Sequence, residues 1–134
     1  MQLVTQVSIG IPNEPSALAM LGDKLRAADV NISAITCSEG QPKTMVHMIV
    51  SDHETAKIVL HDLGSVHTKQ VIELTMKNKP GAIAGIGRAC AAGNINIRNI
   101  YSTSSGKESM VYIDTDEAVK GLEALKHWKN STLS

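Results

Sequence analysis

The sequence predicts an α+β fold in which one β-α-β-β-α-β unit is written twice. Three observations carry this. The first is an internal repeat. A shift of 65 residues lays Asn13-Glu14-Pro15-Ser16 on Asn78-Lys79-Pro80-Gly81, Asp29-Val30-Asn31-Ile32 on Asn94-Ile95-Asn96-Ile97, and Met45-Val46 on Met110-Val111. The second is alternation: Leu3, Val7, Ile9 and Ile11 share one face of an extended segment, and Ile72, Leu74 and Met76 repeat that face. The third is a helical stripe, Leu18, Leu21, Leu25 and Ala28, which returns as Ile83, Ile86, Cys90 and Gly93. The 134 residues then divide into a first unit, 1–68, and a second, 69–134. Each is near the lower size limit for an independent core, so the units share buried surface or the chain dimerises.

The elements follow in order. Pro12 and Pro15 end the first strand, and Pro80 ends its copy. Asn13 and Asn78 are placed to cap the helices that follow, with a proline near each first turn. Asp29 and Asn94 suit the turns that end those helices. Second strands are expected at 30–37 and 95–102, hairpin loops at 40–43 and 104–107, and third strands at 44–50 and 109–113. Ser51 or Asp52 caps a second helix carrying Ala56, Val59, Leu60 and Leu63. Its copy uses Ala118, Leu122 and Leu125, after the alignment loses three residues. Residues 66–76 hold no Gly or Pro and read as the fourth strand of the first unit running into the first strand of the second. The matching fourth strand of the second unit falls at 128–133. The expected architecture is two ferredoxin-like βαββαβ units, antiparallel sheets with helices on one face.

Composition removes several functions. Hydrophobic residues make up 43% and charged residues 19%, which is globular rather than disordered. Thirteen basic residues balance thirteen acidic ones, and Phe is absent, so neither a basic footprint nor a stacking platform for nucleic acid is present. No apolar run approaches the roughly 20 residues that span a bilayer. The first residues lack a cationic segment followed by a long apolar run, so no signal peptide is read, and two cysteines fit a reducing cytoplasm. His47, His53, His61, His67 and His127 make no chelating pair with nearby cysteines. Cys90 lies on the apolar helix stripe and is expected to be buried. Gly85-Ile86-Gly87 falls inside a helix rather than at a strand-to-helix turn, so it is not a dinucleotide fingerprint. No catalytic constellation, cofactor motif or metal site is read.

Two pieces point to a family. Asn78-Lys79-Pro80-Gly81-Ala82-Ile83-Ala84 has a polar residue, any residue, Pro-Gly, then a helix with an apolar stripe. Gly93-Asn94-Ile95-Asn96-Ile97 makes the turn into a second strand. With the hairpin and second helix, these make the chain resemble a stand-alone tandem pair of ACT domains, small regulatory modules that often bind amino acids. The resemblance covers residues 5–125. It implies a non-catalytic regulator that binds a small ligand, an amino acid, at an ACT–ACT interface and modulates a partner enzyme or pathway. Two further readings are a ligand-free oligomerisation module and a metal-responsive binder.

The site expected on this reading comprises Asn78, Pro80, Gly81, Ala82 and Asn96 in the second repeat, and Asn13, Ser16 and Asn31 in the first. A helix N-terminus offers free N–H groups and positive potential to a carboxylate. Gly81 permits close backbone approach. Asn78 and Asn96, expected on adjacent strand ends, carry amides that both donate and accept, so a zwitterion is held without a buried net charge. Ser16 stands where the second repeat has Gly81, so the second repeat is expected to be the stronger site. The same asparagines also read simply as helix caps and turn residues. A homodimer is expected, because the strand face opposite the helices carries Met45, His47, Ile49, Met110 and Tyr112.

Overall fold

The structure, a computed structural model, describes residues 1–40 and 42–132, the side chains of 130–132 excepted. Its strands are β1 (Gln2–Pro12), β2 (Ile32–Ser38), β3 (Lys43–Val50), β4 (Val66–Lys77), β5 (Ile97–Ser105) and β6 (Glu108–Thr115). Its helices are α1 (Ala17–Ala27), α2 (His53–Leu60), α3 (Ala82–Ala92) and α4 (Ala118–Thr132). The strands form an antiparallel sheet in the order β2-β3-β1-β4-β6-β5. Compactness groups Thr5–Lys69 as one unit and Met1–Val4 with Gln70–Ser134 as the other. The expected boundary, 1–68 and 69–134, therefore differs at the N-terminus.

That difference explains the missing strand. Residues 128–132, expected to be extended, continue α4, and Leu133 lies outside the described residues. The fourth strand beside β4 is instead the start of β1. Gln2 Nε2 donates to Glu73 Oε1 at 2.8 Å, and Met1 and Leu3 pack on the core built around Ile72 and Leu74. Under the 65-residue shift Met1 falls on Val66. Each long strand thus serves as fourth strand at its start and first strand beyond it.

Each unit has its own core, and the two are related position by position. In the first, Val7, Ile9, Leu21, Leu25, Val46, Met48 and Leu60 are buried together. In the second, Ile72, Leu74, Ile86, Cys90, Val111, Ile113 and Leu125 take the same places. Ladder register repeats too: Val7 faces Met48 as Ile72 faces Ile113. Leu60 and Leu125 stand 65 apart, so no residues are lost in the second helix, contrary to the sequence reading. Cys90, 1% exposed, sits in the core as expected.

The helix stripes are turned by one position from expectation. Ala17, Leu21 and Leu25 are buried, whereas Leu18 is 49% exposed and its counterpart Ile83 is 53% exposed. A three-four spacing accepts either position at the first turn. Both helices end in the same motif. Asp29 (φ +58°) and Asn94 (φ +54°) adopt left-handed geometry, and the N–H groups of Val30 and Ile95 return to the carbonyls of Leu25 and Cys90 at 2.9 and 2.8 Å. Asp52 caps α2: Oδ1 accepts from the Thr55 N–H at 3.1 Å and Oδ2 from its hydroxyl at 2.6 Å. These bonds, the hydroxyl's first, hold the Asp52 carboxyl below its usual range.

The strand face expected to drive dimerisation is less open than alternation alone implies. Ile49 and Tyr112 are 7% and 4% exposed within the chain, and Met45 is 39% exposed. Alternation assigns a residue to a face but does not say how far the chain covers it.

Candidate functional site

The two strand-to-helix turns occupy equivalent positions and follow different backbone paths. In the second repeat, Ala82 N–H bonds the Lys79 carbonyl at 3.3 Å, and Gly81 has φ +89° and ψ −8°. That is a type II turn with Pro80 and Gly81 in the centre, and it requires a residue that tolerates positive φ. In the first, Ala17 N–H bonds the Glu14 carbonyl at 3.2 Å, and Ser16 has φ −87° and ψ −11°. That is the type I geometry, which any side chain accepts. The two types differ by a flip of the central peptide. Pro80–Gly81 therefore presents its N–H and C=O on the faces opposite to those used by Pro15–Ser16.

Neither asparagine caps its helix. The N-cap residues are Ser16 and Gly81, and neither end has a side-chain cap bond. Asn13 and Asn78 stand three residues earlier, too far back to reach the first turn, and they reach the neighbouring hairpins instead. Asn78 Nδ2 donates to the Gly106 carbonyl at 3.3 Å, and its N–H donates to that of Lys107 at 2.7 Å. Asn13 Nδ2 lies 3.4 Å from both Glu39 Oε1 and the Gly40 carbonyl.

The structure brings Asn78, Pro80, Gly81 and Ala82 to one turn, and Asn13 and Ser16 to the other. It does not bring Asn96 or Asn31 to the turn of its own unit. Lys77 faces Glu108 at one end of β6, and Ile97 faces Thr115 at the other. Seven residues at roughly 3.3 Å each separate those ends by about 23 Å. The antiparallel hairpin after the second strand returns the chain past the first, so the start of β5 lies away from the end of β4. Asn96 and Asn31 instead join strand to helix. Asp116 Oδ1 accepts from the Asn96 N–H at 3.1 Å, and Ser51 Oγ accepts from the Asn31 N–H at 2.9 Å. Each partner's own N–H returns to the asparagine carbonyl, at 3.1 and 2.9 Å.

Beside each turn lies a cavity that sequence reasoning missed. In the second repeat it holds about 250 Å³, between Lys79, Gly81, Gly85, Arg88 and Trp128, with Met76 behind them. In the first it holds about 230 Å³, between Ile11, Glu14, Ala17, Met20, Asp62 and Leu63. The 65-residue shift relates them: Ile11 to Met76, Glu14 to Lys79, Met20 to Gly85, and Leu63 to Trp128. Gly85 is required by contact, since a Cβ there would lie 2.7 Å from Trp128 Cζ2. Carrying the shift unbroken through the second helix would have found Trp128.

The remaining reactive groups lie elsewhere. Both cysteines are free, Cys37 exposed and Cys90 buried. Burial, then the Asp116 carboxylate, pushes the Cys90 thiol up and keeps it neutral. Among the described residues, no group of three or more His, Cys, Asp or Glu side chains is placed to hold a metal ion. No described helix is long and apolar enough to cross a membrane.

Comparison with known proteins agrees with this architecture. The ACT domain family model matches residues 70–125. A crystal structure of a protein from Bacteroides thetaiotaomicron superposes with a TM-score of 0.87 at 27% identity, over 95% of this chain and 89% of that one. The ligand-free regulatory subunit of aspartate kinase from Thermus thermophilus gives 0.67 at 17% identity, over 96% and 97%. The aspartate kinase of Clostridium acetobutylicum, titled an allosteric enzyme, gives 0.62 at 16% identity, over 96% of this chain and 32% of that one. No curated protein matches the sequence. At under 25% identity the two kinase likenesses establish the fold alone. The ACT family match falls on the repeat that has the Asn78-Lys79-Pro80-Gly81 turn, over 56 of the 134 residues.

Proposed function

We propose that this chain is a non-catalytic regulator built from two ferredoxin-like, ACT-type units, and that it binds an amino acid at the β4–α3 turn to modulate a partner enzyme. One observation carries the reading. The Asn78–Ala82 turn combines a left-handed Gly81, the start of α3 and an adjoining cavity of about 250 Å³, large enough for an amino acid. Asn78 is held against the hairpin, so its amide is pre-oriented. The kinase-associated neighbours support a regulatory partner by analogy of fold only.

Asn96 fits this reading in one way. A ligand touching both Asn78 and Asn96 must take them from different copies of the chain, because both lie in one unit and about 23 Å separates their strand ends. That supports a homodimer with the ligand at an interface between ACT units. Such a ligand stabilises the assembly that it bridges, and it transmits by binding two packing states unequally. Two free cysteines accord with a cytoplasmic setting. A ligand-free assembly module is the second reading, favoured by Leu18 and Ile83, which are exposed at the same place in both repeats.

A thermal-shift panel of the twenty amino acids separates the two. Under the regulatory reading one or a few raise the melting temperature progressively with concentration, by about 2.7 kcal/mol of stabilisation at a hundredfold excess over Kd. A flat response to all twenty overturns it in favour of the assembly module.

A further inference from the structure

We propose that the cavity behind the Lys79–Ala82 turn takes a small aliphatic carboxylate, with its anionic end at Arg88 and Lys79 and its chain against Trp128, and that the matching cavity of the first repeat rejects it. The proposal rests on reading that turn as the ligand site, and it adds the charge of the ligand and the wall it packs on. The two cavities are alike in position and nearly alike in volume, about 250 and 230 Å³. Their charges are opposite. Lys77, Lys79 and Arg88 line the second, with no acidic side chain among the described lining residues. Glu14 and Asp62 line the first, with no cation among them. A guanidinium recognises a carboxylate with two parallel hydrogen bonds, and the exposed lysines add potential without fixed geometry.

The apolar wall argues for an aliphatic body rather than a bare inorganic ion. Met76 is 8% exposed, and Trp128 lies close enough to α3 that position 85 must be glycine. The first cavity has Met20 and Leu63 in those places, which fill space and offer no flat face. Glu14 then repels a carboxylate at contact range, while Asp62 is already paired with Lys24 at 3.6 Å.

Trp128 is the single tryptophan of the chain and also lines a neighbouring cavity with Lys120, Glu123 and His127, so loss of the response in Lys79→Gln, a residue of the proposed cavity only, assigns the signal to it. The test titrates the full chain with succinate at fixed ionic strength, with 1,4-diaminobutane as the cationic probe of equal length. Succinate is expected to shift the emission saturably and the diamine to leave it flat. Arg88→Gln is expected to weaken succinate at least tenfold, and Glu14→Gln to leave it within twofold. A flat response to succinate, or an unchanged response in Arg88→Gln, overturns the proposal. Inorganic phosphate saturating the same signal as tightly as succinate also overturns it, since the cavity would then read charge alone. If succinate is silent while an amino acid still raises the melting temperature of the same preparation, this proposal falls and the amino-acid reading stands. If both are silent, both fall.

Discussion

The repeat Thr5–Lys69 and the repeat that begins at Gln70 share strand register, core positions and helix ends, yet they differ at three positions that shape the strand-to-helix turn and its cavity. Ser16 gives a type I turn where Gly81 gives a type II turn. Met20 stands where Gly85 makes room for Trp128. Glu14 stands where the other repeat has Lys79. A duplicated sequence therefore keeps its fold through the buried positions and is free to change at the turn, because the turn residues contribute little to either core. Equivalence of fold does not carry equivalence of site.

Substitutions at paired positions break or sharpen this contrast. The largest effect is expected at Gly85. Gly85→Val puts a branched side chain where Trp128 lies, and overpacking of that kind costs about 1–3 kcal/mol. Met20→Ala at the matching position removes a side chain that is 48% exposed, and its cost is expected to be well under half of that. Urea unfolding of both variants measures the difference, and equal losses would remove the distinction between the two cavities.

Next comes the turn itself. Gly81→Val forces a β-branched residue to φ +89°, a strain of about 1–3 kcal/mol, while Ser16→Val at φ −87° is expected to change stability by less than about 0.5 kcal/mol. Gly81→Val therefore tests the backbone rather than the ligand. Gly81→Asn is the cleaner probe of ligand approach, because Asn tolerates the left-handed region and a Cβ at 81 meets nothing within 4 Å. A smaller loss, about 0.5–1.5 kcal/mol, is expected for Asn78→Ala, which removes the side-chain bond to the Gly106 carbonyl and leaves the backbone bond to Lys107. Asn13→Ala is expected to cost less, since both its contacts are at 3.4 Å. Thermal unfolding ranks the pair.

The smallest effect is a pH dependence carried by tyrosine, a residue that only the second repeat has. The shift places His47 on Tyr112 and Ser8 on Glu73, and each pair is in contact: Ser8 Oγ lies 2.6 Å from His47 Nδ1, and Tyr112 bonds Glu73. Burial, followed by the Glu73 carboxylate, pushes the Tyr112 hydroxyl up to about 12. The folded chain thus holds this proton more tightly than the unfolded one does. The stability it contributes is complete below pH 10 and is lost as pH rises from 10 through about 12. Tyr112→Phe should shrink that alkaline limb in a pH series of melting curves, leaving the part carried by Tyr101, whose hydroxyl burial also pushes up. An unchanged limb would show that Tyr112 is not its source.

The contrast also shows what one sequence reveals about itself. The repeat, the alternating strands and the buried Cys90 were legible because each rests on periodic burial of apolar side chains. The fourth strand of the second unit was not, since it comes from residues 1–4, far along the chain from the strand that they join. Its signal was the same 65-residue shift, applied to the first residues as well as the rest. Leu18 and Ile83 were misplaced because the spacing of a stripe does not fix helix orientation at its first turn. At the site, composition identified Pro80-Gly81 as a turn but gave no turn type for Pro15-Ser16. Asn78 and Asn96 looked adjacent because both flank a strand, and only the ladder register reveals that the flanks are opposite. Arg88 was out of reach because a cavity between two helices has no local pattern, whereas the unbroken shift pairs Trp128 with Leu63.

Isothermal titration with the amino acid that most raises the melting temperature tests most directly whether only the second repeat binds. The expected result is one ligand per chain, with binding retained in Ser16→Val and Asn31→Ala, lost in Gly81→Asn, and weakened by about 1–3 kcal/mol in Asn96→Ala. Two ligands per chain, or binding lost in the first-repeat variants and intact in Gly81→Asn and Asn96→Ala, would contradict it.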